Sequence, residues 1–347
     1  IGFLSARLEG TPEFKHAFLR QGNPDMQAFH HDLYRAVGKG RMWVMEQQPG
    51  PVNWASWNPA PLPGMTRLWA WEAFAHGAEV VSYFRWRQAP FGQEQHHAGL
   101  LRPDSADAPA LHAAATVAME LEAFGPIEPA LAPVAILFDY DASWIYDIQP
   151  QGEDFSYFSL VLDTYRALRR AGLSIDIVPI EADLSAYKLV MAPGLAMMDD
   201  ALKARLSGHD GTIVIGPRAA AKTENGAIPI PLPPNLPGLD ATVALTESLQ
   251  PGSERAWDGD GAFIKWAEDL KSDATPVILR EDGVPALVRK NSLHYLAGWP
   301  DATGFDRVIQ HCCTEAGLPF EQLPEGLRLR DTKTHRFAFN YAPEPVT

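Results

Sequence analysis

Short apolar runs alternate with segments of helical spacing along most of this 347-residue chain, and this alternation constrains its fold more than any other feature. The first clear repeat begins at the turn Asn23-Pro24-Asp25 and ends near residue 50. Its helical segment carries apolar residues three or four apart, at Met26, Phe29, Leu33 and Val37. Helix, short loop and buried strand in this order predict an α/β protein with parallel strands.

The strand of this repeat ends in a carboxylate. Residues 42–45 are all apolar, Glu46 follows, and Gln-Gln-Pro-Gly then stops the run. A short apolar run bounded by turn signals predicts a strand buried on both faces. Glu46 then lies at the carboxyl end of the strand, where (β/α)₈ barrels place catalytic side chains. The alternative is a glutamate that simply leaves the sheet into solvent.

The next repeat has the same character. Residues 65–75 predict a helix and residues 78–84 predict a second buried strand, which is followed by Arg85, Glu94, His96 and His97. Between the two repeats, residues 47–64 form a proline-rich loop that contains Trp54, and long ordered loops are often functional. Two consecutive strand ends that carry polar and aromatic groups favour a functional site over a chance placement.

Composition excludes several classes of partner. The net charge is −14 and basic residues are not clustered, which argues against nucleic acid. No apolar run reaches the roughly 20 residues of a membrane span. The absence of a charged-then-apolar signal segment favours the cytoplasm. Cys312 and Cys313 are the only cysteines, and we expect buried helical positions for both.

A second domain is predicted after prolines 126, 129 and 133. Apolar runs near 134–138, 175–178, 189–192 and 212–215 alternate with helical patterns, which predicts an open, mostly parallel, doubly wound sheet. This part has no glycine-rich phosphate loop and no strand-end nucleophile, so we interpret it as structural or as an oligomerisation surface. Residues 327–330 and 336–340 alternate apolar and polar, as half-buried antiparallel strands do.

The chemistry that best fits these residues is glycoside hydrolysis. A carboxylate can act as nucleophile on an oxocarbenium-like transition state, and Trp54 can stack on a sugar face. Glu94 and His97 are three residues apart, so on a helix they would share one face and grip two hydroxyls of one ring. A zinc site built from Glu46, Glu94 and His97 is the alternative for the same residues, and a surface loop is the simpler interpretation of His96.

Two long segments carry a family resemblance. MEQQPGPVNW (residues 45–54) and SYFRWRQAPFGQEQHHAGLLRP (residues 82–103) closely resemble the β-galactosidases of glycoside hydrolase family 42. The resemblance implies that Glu46 is the nucleophile at the end of barrel strand seven and that Trp54 stacks on galactose. It also implies that Phe84, at the end of strand eight, is a wall of the subsite and that Glu94 and His97 bind galactose hydroxyls.

The same resemblance implies the architecture. The expected fold is the C-terminal part of a (β/α)₈ TIM barrel in residues 1–125, a doubly wound α/β trimerisation domain in residues 130–322, and the start of a small antiparallel β domain in residues 323–347. The implied activity is retaining hydrolysis of terminal β-D-galactosides by a homotrimer. No cofactor and no metal are expected, and the partners are a galactoside substrate and further copies of the chain.

The sequence departs from the family in one respect. The family's acid/base glutamate follows an asparagine at the end of barrel strand four, and this chain has no Asn-Glu dipeptide. A whole barrel takes roughly 250 residues, whereas about 125 precede the linker. We therefore expect the C-terminal part of a longer or split enzyme, inactive without the N-terminal half of the barrel. The alternative is a non-catalytic fragment that binds sugar or assembles trimers.

Overall fold

The computed structural model describes residues 12–55 and 57–345. The chain divides into two compact units, of which the first comprises residues 1–131 and 323–347 and the second comprises residues 132–322. The domain boundaries expected from the sequence stay a prediction. The described elements of the first unit are α1 (Pro12–Ala17), α2 (Met26–Val37), β1 (Met42–Gln47), α3 (Met65–Ala75), β2 (Ala78–Tyr83), α4 (Pro109–Phe124), β14 (Leu327–Asp331) and β15 (Arg336–Asn340).

The two predicted helices before β1 and β2 are confirmed. Helix α2 follows Asn23, whose side-chain oxygen accepts hydrogen bonds from the backbone N–H of Asp25 (2.9 Å) and Met26 (3.2 Å). These bonds satisfy donors that a helix start leaves open. Helix α3 ends at Ala75, and Gly77 follows with a φ of +96°, a conformation that glycine adopts without a steric penalty.

Strands β1 and β2 are parallel neighbours, with Met42 opposite Ala78 and Val44 opposite Val81. Met42 and Val44 are buried against helix α3, but Trp43 and Met45 stay 56% and 62% exposed. The prediction that β1 is buried on both faces is therefore wrong for this chain. One face packs on the helical layer, and the other is the face that a closed barrel covers with its remaining strands.

The hairpin β14–β15 belongs to the first unit. Leu327 pairs with Asn340 and Asp331 with Arg336, as the alternating pattern predicted. Buried polar contacts join the hairpin region to the helical part of this unit. Arg328 forms a bidentate ion pair with Asp25 at 2.6 and 2.8 Å, and the Tyr341 hydroxyl donates to Glu72.

The second unit contains the predicted doubly wound sheet. The strands of this sheet are β3 (Val134–Phe138), β4 (Ile175–Pro179), β5 (Leu189–Ala192), β6 (Thr212–Ile215), β10 (Thr275–Leu279), β11 (Pro285–Lys290) and β12 (Leu293–Leu296). Five of them are parallel neighbours in the order β12-β6-β5-β3-β4, and β11 and β10 extend the β12 edge in antiparallel fashion. The side chains of β3 are buried throughout, as a central parallel strand requires.

Sequence patterns missed a second, smaller sheet and one helix of this unit. The strands of that sheet are β7 (Ala241–Ser248), β8 (Arg255–Ala256), β9 (Ala262–Ser272) and β13 (Gly298–Pro300). The helices of the unit are α5 (Tyr140–Ile148), α6 (Tyr157–Arg170), α7 (Asp200–Ser207) and α8 (Ala302–Glu315). Of these, α5 was not predicted, because it follows β3 after a single residue.

Two further expectations concern single features. Cys312 and Cys313 are buried in α8 and form no disulfide, which confirms their prediction. Within the described residues, no helix is both long and apolar enough to cross a membrane.

Candidate active site

Glu46 is the fifth residue of β1 and its side chain is exposed in this chain. The pairing of β1 with β2 shifts register between Val44 and Gln47, so Met45 and Glu46 lie in an irregular stretch. Glu46 lines a cavity at the strand end together with Gln48, Val52 and Trp69. The strand thus delivers one carboxylate to its carboxyl end, as predicted, although solvent reaches it.

The end of β2 lies beside the end of β1. The backbone N–H of Phe84 donates to the carbonyl of Gln47 at 3.2 Å, and the Phe84–Arg85 peptide bond is cis. The ring of Phe84 contacts the imidazole of His97 edge-on, with centroids 5.0 Å apart. The structure therefore brings together Phe84 and His97, two of the residues that the sequence singled out.

His97 is almost completely buried, with 4% of its surface exposed. Its Nε2 atom lies 2.7 Å from the side-chain oxygen of Gln48. Burial lowers the pKa of His97, and the Arg85 guanidinium acts in the same direction, whereas the carboxylates of Glu94 and Glu46 oppose the shift. Burial has the largest effect and favours the neutral form of the imidazole.

Glu94 stands at the outer side of the site. Its carboxylate accepts a hydrogen bond from Arg85 at 2.8 Å, and the guanidinium of Arg85 lies 5.2 Å from the centre of the Phe84 ring. The backbone N–H of His97 donates to the carbonyl of Glu94 at 3.0 Å. The helix expected for this pair is absent, since residues 93–96 form a turn. Through this backbone hydrogen bond, the turn still keeps Glu94 and His97 close to each other.

The loops after the two strands are bonded to each other. Ala98 N–H donates to the Pro51 carbonyl at 2.9 Å, and the Asn53 amide donates to the Gln93 carbonyl at 3.0 Å. Gly99 permits a close backbone approach, because a Cβ atom there would lie 2.5 Å from the backbone nitrogen of Gln88. The two hydrogen bonds fix the segment that carries Glu94 and His97 against the loop that carries Trp54.

Trp54 lies on that loop and is 50% exposed. It is outside the set of residues that line the cavity beside Glu46. Its stacking role stays a prediction. His96 is exposed in the turn, as the surface-loop interpretation holds.

Sequence reasoning missed one functional candidate, Gln48, and it named Arg85 after the second strand without giving it a role. Gln48 holds His97 and Arg85 holds Glu94, so each contacts a residue that had been predicted. Their positions carried a signal, because each comes within two residues of the end of a strand. In the described part of the chain, no group of three or more His, Cys, Asp and Glu side chains is arranged to hold a metal ion.

The fold and the strand-end residues define an α/β protein with part of a TIM barrel and an acidic site at the carboxyl ends of two barrel strands. Family comparison gives the particular group. The family model described as β-galactosidase of glycoside hydrolase family 42 matches residues 11–124, and the model described as β-galactosidase trimerisation domain matches residues 132–319. This chain belongs to the family 42 β-galactosidases.

Individual relatives agree with this assignment. A β-galactosidase of Thermus thermophilus is 50% identical over 340 residues, which cover 96% of this chain and 53% of the relative. The crystal structure of the β-galactosidase from the psychrophile Marinomonas ef1 is 44% identical with a TM-score of 0.93, covering 97% of this chain and 54% of that one. The β-galactosidase of Halorubrum lacusprofundi is 35% identical with a TM-score of 0.91, over 98% and 53% of the two chains. The chain thus spans about half the length of these relatives.

Proposed function

We propose that this chain supplies the nucleophile side of the active site of a retaining β-galactosidase. The observation that supports the proposal best is the position of Glu46 at the end of a barrel strand, close enough to His97 for its charge to act on the pKa of the imidazole. Phe84, Glu94 and His97 surround the adjoining strand end. Relatives with the same fold bear the name β-galactosidase.

In the proposed reaction, a carboxylate oxygen of Glu46 attacks the anomeric carbon of the galactoside as the bond to the leaving oxygen breaks. A second carboxylic acid protonates that leaving oxygen, and its conjugate base later takes a proton from the water that hydrolyses the galactosyl ester on Glu46. Retaining enzymes place the two carboxyl groups about 5–5.5 Å apart. We assign the acid/base to the N-terminal half of the barrel, because this sequence lacks the Asn-Glu pair of the family.

The remaining predicted residues bind the sugar. Glu94 and His97 accept or donate hydrogen bonds to ring hydroxyls, Trp54 stacks on the apolar face of galactose, and Phe84 forms a wall that limits water. The hydrogen bond from Arg85 orients the carboxylate of Glu94. The assembled enzyme is proposed to be a homotrimer, which the match to a trimerisation domain supports.

The test replaces Glu46 in an enzyme whose barrel is complete, formed by joining or co-expressing this chain with the N-terminal half of a relative. Glu46→Gln should lower turnover of an aryl β-galactoside by about 10³-fold or more. Azide should restore turnover to Glu46→Gly by acting as an external nucleophile. Glu79→Gln is the matched control, because Glu79 lies near the start of β2 and pairs with Arg41. Near-normal turnover of Glu46→Gln would refute the proposal.

A second candidate function rests on the exposed inner face of β1, where Trp43 and Met45 lie open. A site with one wall can bind sugar without cleaving it, so the chain alone would act as a sugar-binding or trimer-assembly module. Calorimetric titration with galactose and an aryl-galactoside assay on the chain alone separate the candidates. Hydrolysis by the chain alone would contradict the need for a second barrel half.

A further inference from the structure

A cavity of about 270 Å³ lies at the carboxyl edge of the doubly wound sheet in the second unit. Arg218 follows the last residue of β6 by three positions, and Tyr295 lies near the end of β12, opposite Ile215. The side chains of Arg218 and Tyr295 both line the cavity. Doubly wound folds hold their ligands outside the carboxyl ends of parallel strands. A single water needs only about 10–15 Å³ of such volume, so the cavity has room for a small organic molecule.

Two cations, Arg218 and Lys222, line this cavity. The guanidinium of Arg218 donates to the Pro150 carbonyl at 2.6 Å and to the side-chain oxygen of Gln151 at 2.8 Å. The ammonium group of Lys222 donates to the side-chain oxygen of Gln149 at 3.2 Å and to a backbone carbonyl at 3.3 Å. These acceptors are neutral, and in the described part of the chain neither cation forms an ion pair with a carboxylate.

The lining also contains one carboxyl group, that of Glu268, which is 1% exposed. Its oxygens accept hydrogen bonds from the backbone N–H of Arg218 at 2.9 Å, the Trp266 indole at 3.0 Å and the Tyr295 hydroxyl at 2.7 Å. Burial raises the pKa of Glu268, which reduces the negative charge that it contributes. Among the described residues that line the cavity, two cations therefore face at most one anion, and the net charge of the lining is positive.

Aromatic rings hold the Arg218 guanidinium in place. Its central carbon lies 4.2 Å from the ring centres of Tyr146 and Trp266 and 4.3 Å from that of Phe155. Ring faces attract cations, most strongly away from water. Arg218 is 3% exposed and has a φ of +59°, a conformation that residues other than glycine seldom adopt and that is found at ligand-binding sites. The simpler interpretation is an arginine that only stabilises the core.

The rest of the lining is mostly apolar. It includes the aliphatic side chains of Ile228, Leu232, Val243 and Leu245. Ile228, Leu232 and Leu245 are 64%, 41% and 55% exposed, so the cavity opens to solvent on this side. A small inorganic anion would leave these side chains uncovered, whereas a ligand with an apolar body would bury them.

We propose that this cavity binds a small organic acid in its anionic form. The carboxylate of the ligand lies against Arg218 and Lys222, and its apolar body packs on Leu232 and Val243. Charge-assisted hydrogen bonds from the two cations favour a carboxylate over a neutral group of the same shape. The cavity shares no lining residue with the site that contains Glu46, so this inference is independent of the proposed hydrolysis.

The test is calorimetric titration of the chain with 3-phenylpropionate and with 3-phenylpropionamide, which has the same shape and no charge. We expect one equivalent of the carboxylate to bind with a Kd below about 1 mM, and the amide to bind at least about 10-fold more weakly. Inorganic phosphate is an anion without an apolar body, and it should also bind at least about 10-fold more weakly than the carboxylate.

Two variants change the charge of the lining at positions that are not fully buried. Lys222→Met keeps the aliphatic stem, and it should raise the Kd of the carboxylate about 10-fold without changing that of the amide. Thr246→Asp adds a negative charge at an exposed position of the lining and should act in the same direction. Lys271→Met is the matched control, because Lys271 is exposed on β9 and outside the lining. Arg218→Met should abolish carboxylate binding, with circular dichroism as the check that the variant folds.

Three results would overturn the proposal. The first is the absence of carboxylate binding, and the second is an amide or phosphate that binds as tightly as the carboxylate. The third is a Kd for the carboxylate that neither Lys222→Met nor Thr246→Asp changes. Each of these results would leave Arg218 as a residue that only stabilises the core. Because the titration does not involve Glu46, a Glu46→Gln variant with normal turnover would refute the proposed hydrolysis and leave this inference standing.

Discussion

The Nε2 atom of His97 lies 2.7 Å from the side-chain oxygen of Gln48. An amide oxygen only accepts, so Nε2 carries the proton and Nδ1 carries a lone pair. Among the described side chains, Nδ1 of His97 is buried and has no hydrogen-bond partner. Gln48 therefore selects one tautomer of an imidazole whose pKa burial has already lowered.

Replacing Gln48 by Met should remove the preference for this tautomer. The Met side chain has a similar length, but its thioether is a poor hydrogen-bond acceptor. In the complete enzyme, we expect the KM for an aryl galactoside to rise about 10-fold with a smaller change in kcat, the equivalent of one hydrogen bond of about 1.4 kcal/mol. The ¹⁵N spectrum of the His97 imidazole should change from one tautomer to a mixture. Gln93→Met, at an exposed position in the turn that carries Glu94, is the control. An unchanged imidazole spectrum in Gln48→Met would contradict the assignment.

Trp54→Ala should weaken galactose binding, because the indole offers a flat apolar face to the sugar. We expect a loss of about 1–2 kcal/mol, or roughly 10-fold in Kd, measured by calorimetric titration. Trp57→Ala is the matched control, since Trp57 lies in the same loop and is 78% exposed, against 50% for Trp54. Equal losses in the two variants would argue against a specific stacking position.

The ion pair of Arg328 with Asp25 has both side chains fully buried. Arg328→Met should destabilise the first unit by about 3–5 kcal/mol, because Asp25 then loses a bidentate partner away from water. Arg336→Met tests the same residue type on the same hairpin, where the pair with Asp331 is 54% and 32% exposed, and should cost less than about 1 kcal/mol. Urea unfolding of both variants gives the comparison. Similar losses would show that burial does not govern these pairs.

His294 makes the second unit sensitive to acid. The side chain is fully buried, with its Nε2 atom 3.2 Å from Nε2 of His311, and burial lowers its pKa to about 4, with a smaller contribution from His311. Between pH 6.5 and about 4, the imidazole is protonated in the unfolded chain but not in the folded chain. The free energy of unfolding therefore falls as the pH falls through this range. The loss should approach about 3 kcal/mol.

Urea unfolding at pH 7 and pH 4.5 measures that loss. In His294→Gln the difference between the two pH values should shrink, because the titrating group is gone, while the exposed His112→Gln should keep the difference of the unaltered chain. An undiminished difference in His294→Gln would assign the acid sensitivity to other groups.

How far the sequence predicts the structure depends on the range of the contacts involved. The apolar stripe of α2 and the central strands of the second unit were predicted well, because their patterns are local and strongly periodic. The strands Ala241–Ser248 and Ala262–Ser272 were missed, since they mix charged and apolar residues without strict alternation. Burial of β1 on both faces was wrong here, because apolar composition says which residues avoid water and not which neighbours are present.

For the candidate site, too, local features were predicted from the sequence and contacts between distant residues were not. Glu46, Phe84, Glu94 and His97 were found from their positions after strands and from long matching segments, and their roles remain predictions. Gln48 was missed and Arg85 was given no role, because their importance lies in contacts with His97 and Glu94 across 49 and 9 residues of chain. Hydrogen bonds of this kind produce no periodic pattern in the amino-acid sequence.

By itself, the sequence determined the α/β class, the order of elements around both strand ends and the family, because these depend on short-range patterns and on long matching segments. Only the tertiary structure decided which tautomer His97 adopts, that Arg328 reaches Asp25 303 residues away, and that the buried side chains of Arg218 and Glu268 line one cavity. The reason is physical. Burial, pKa and hydrogen-bond geometry depend on which atoms the folded chain brings together, and periodicity along the chain does not contain that information.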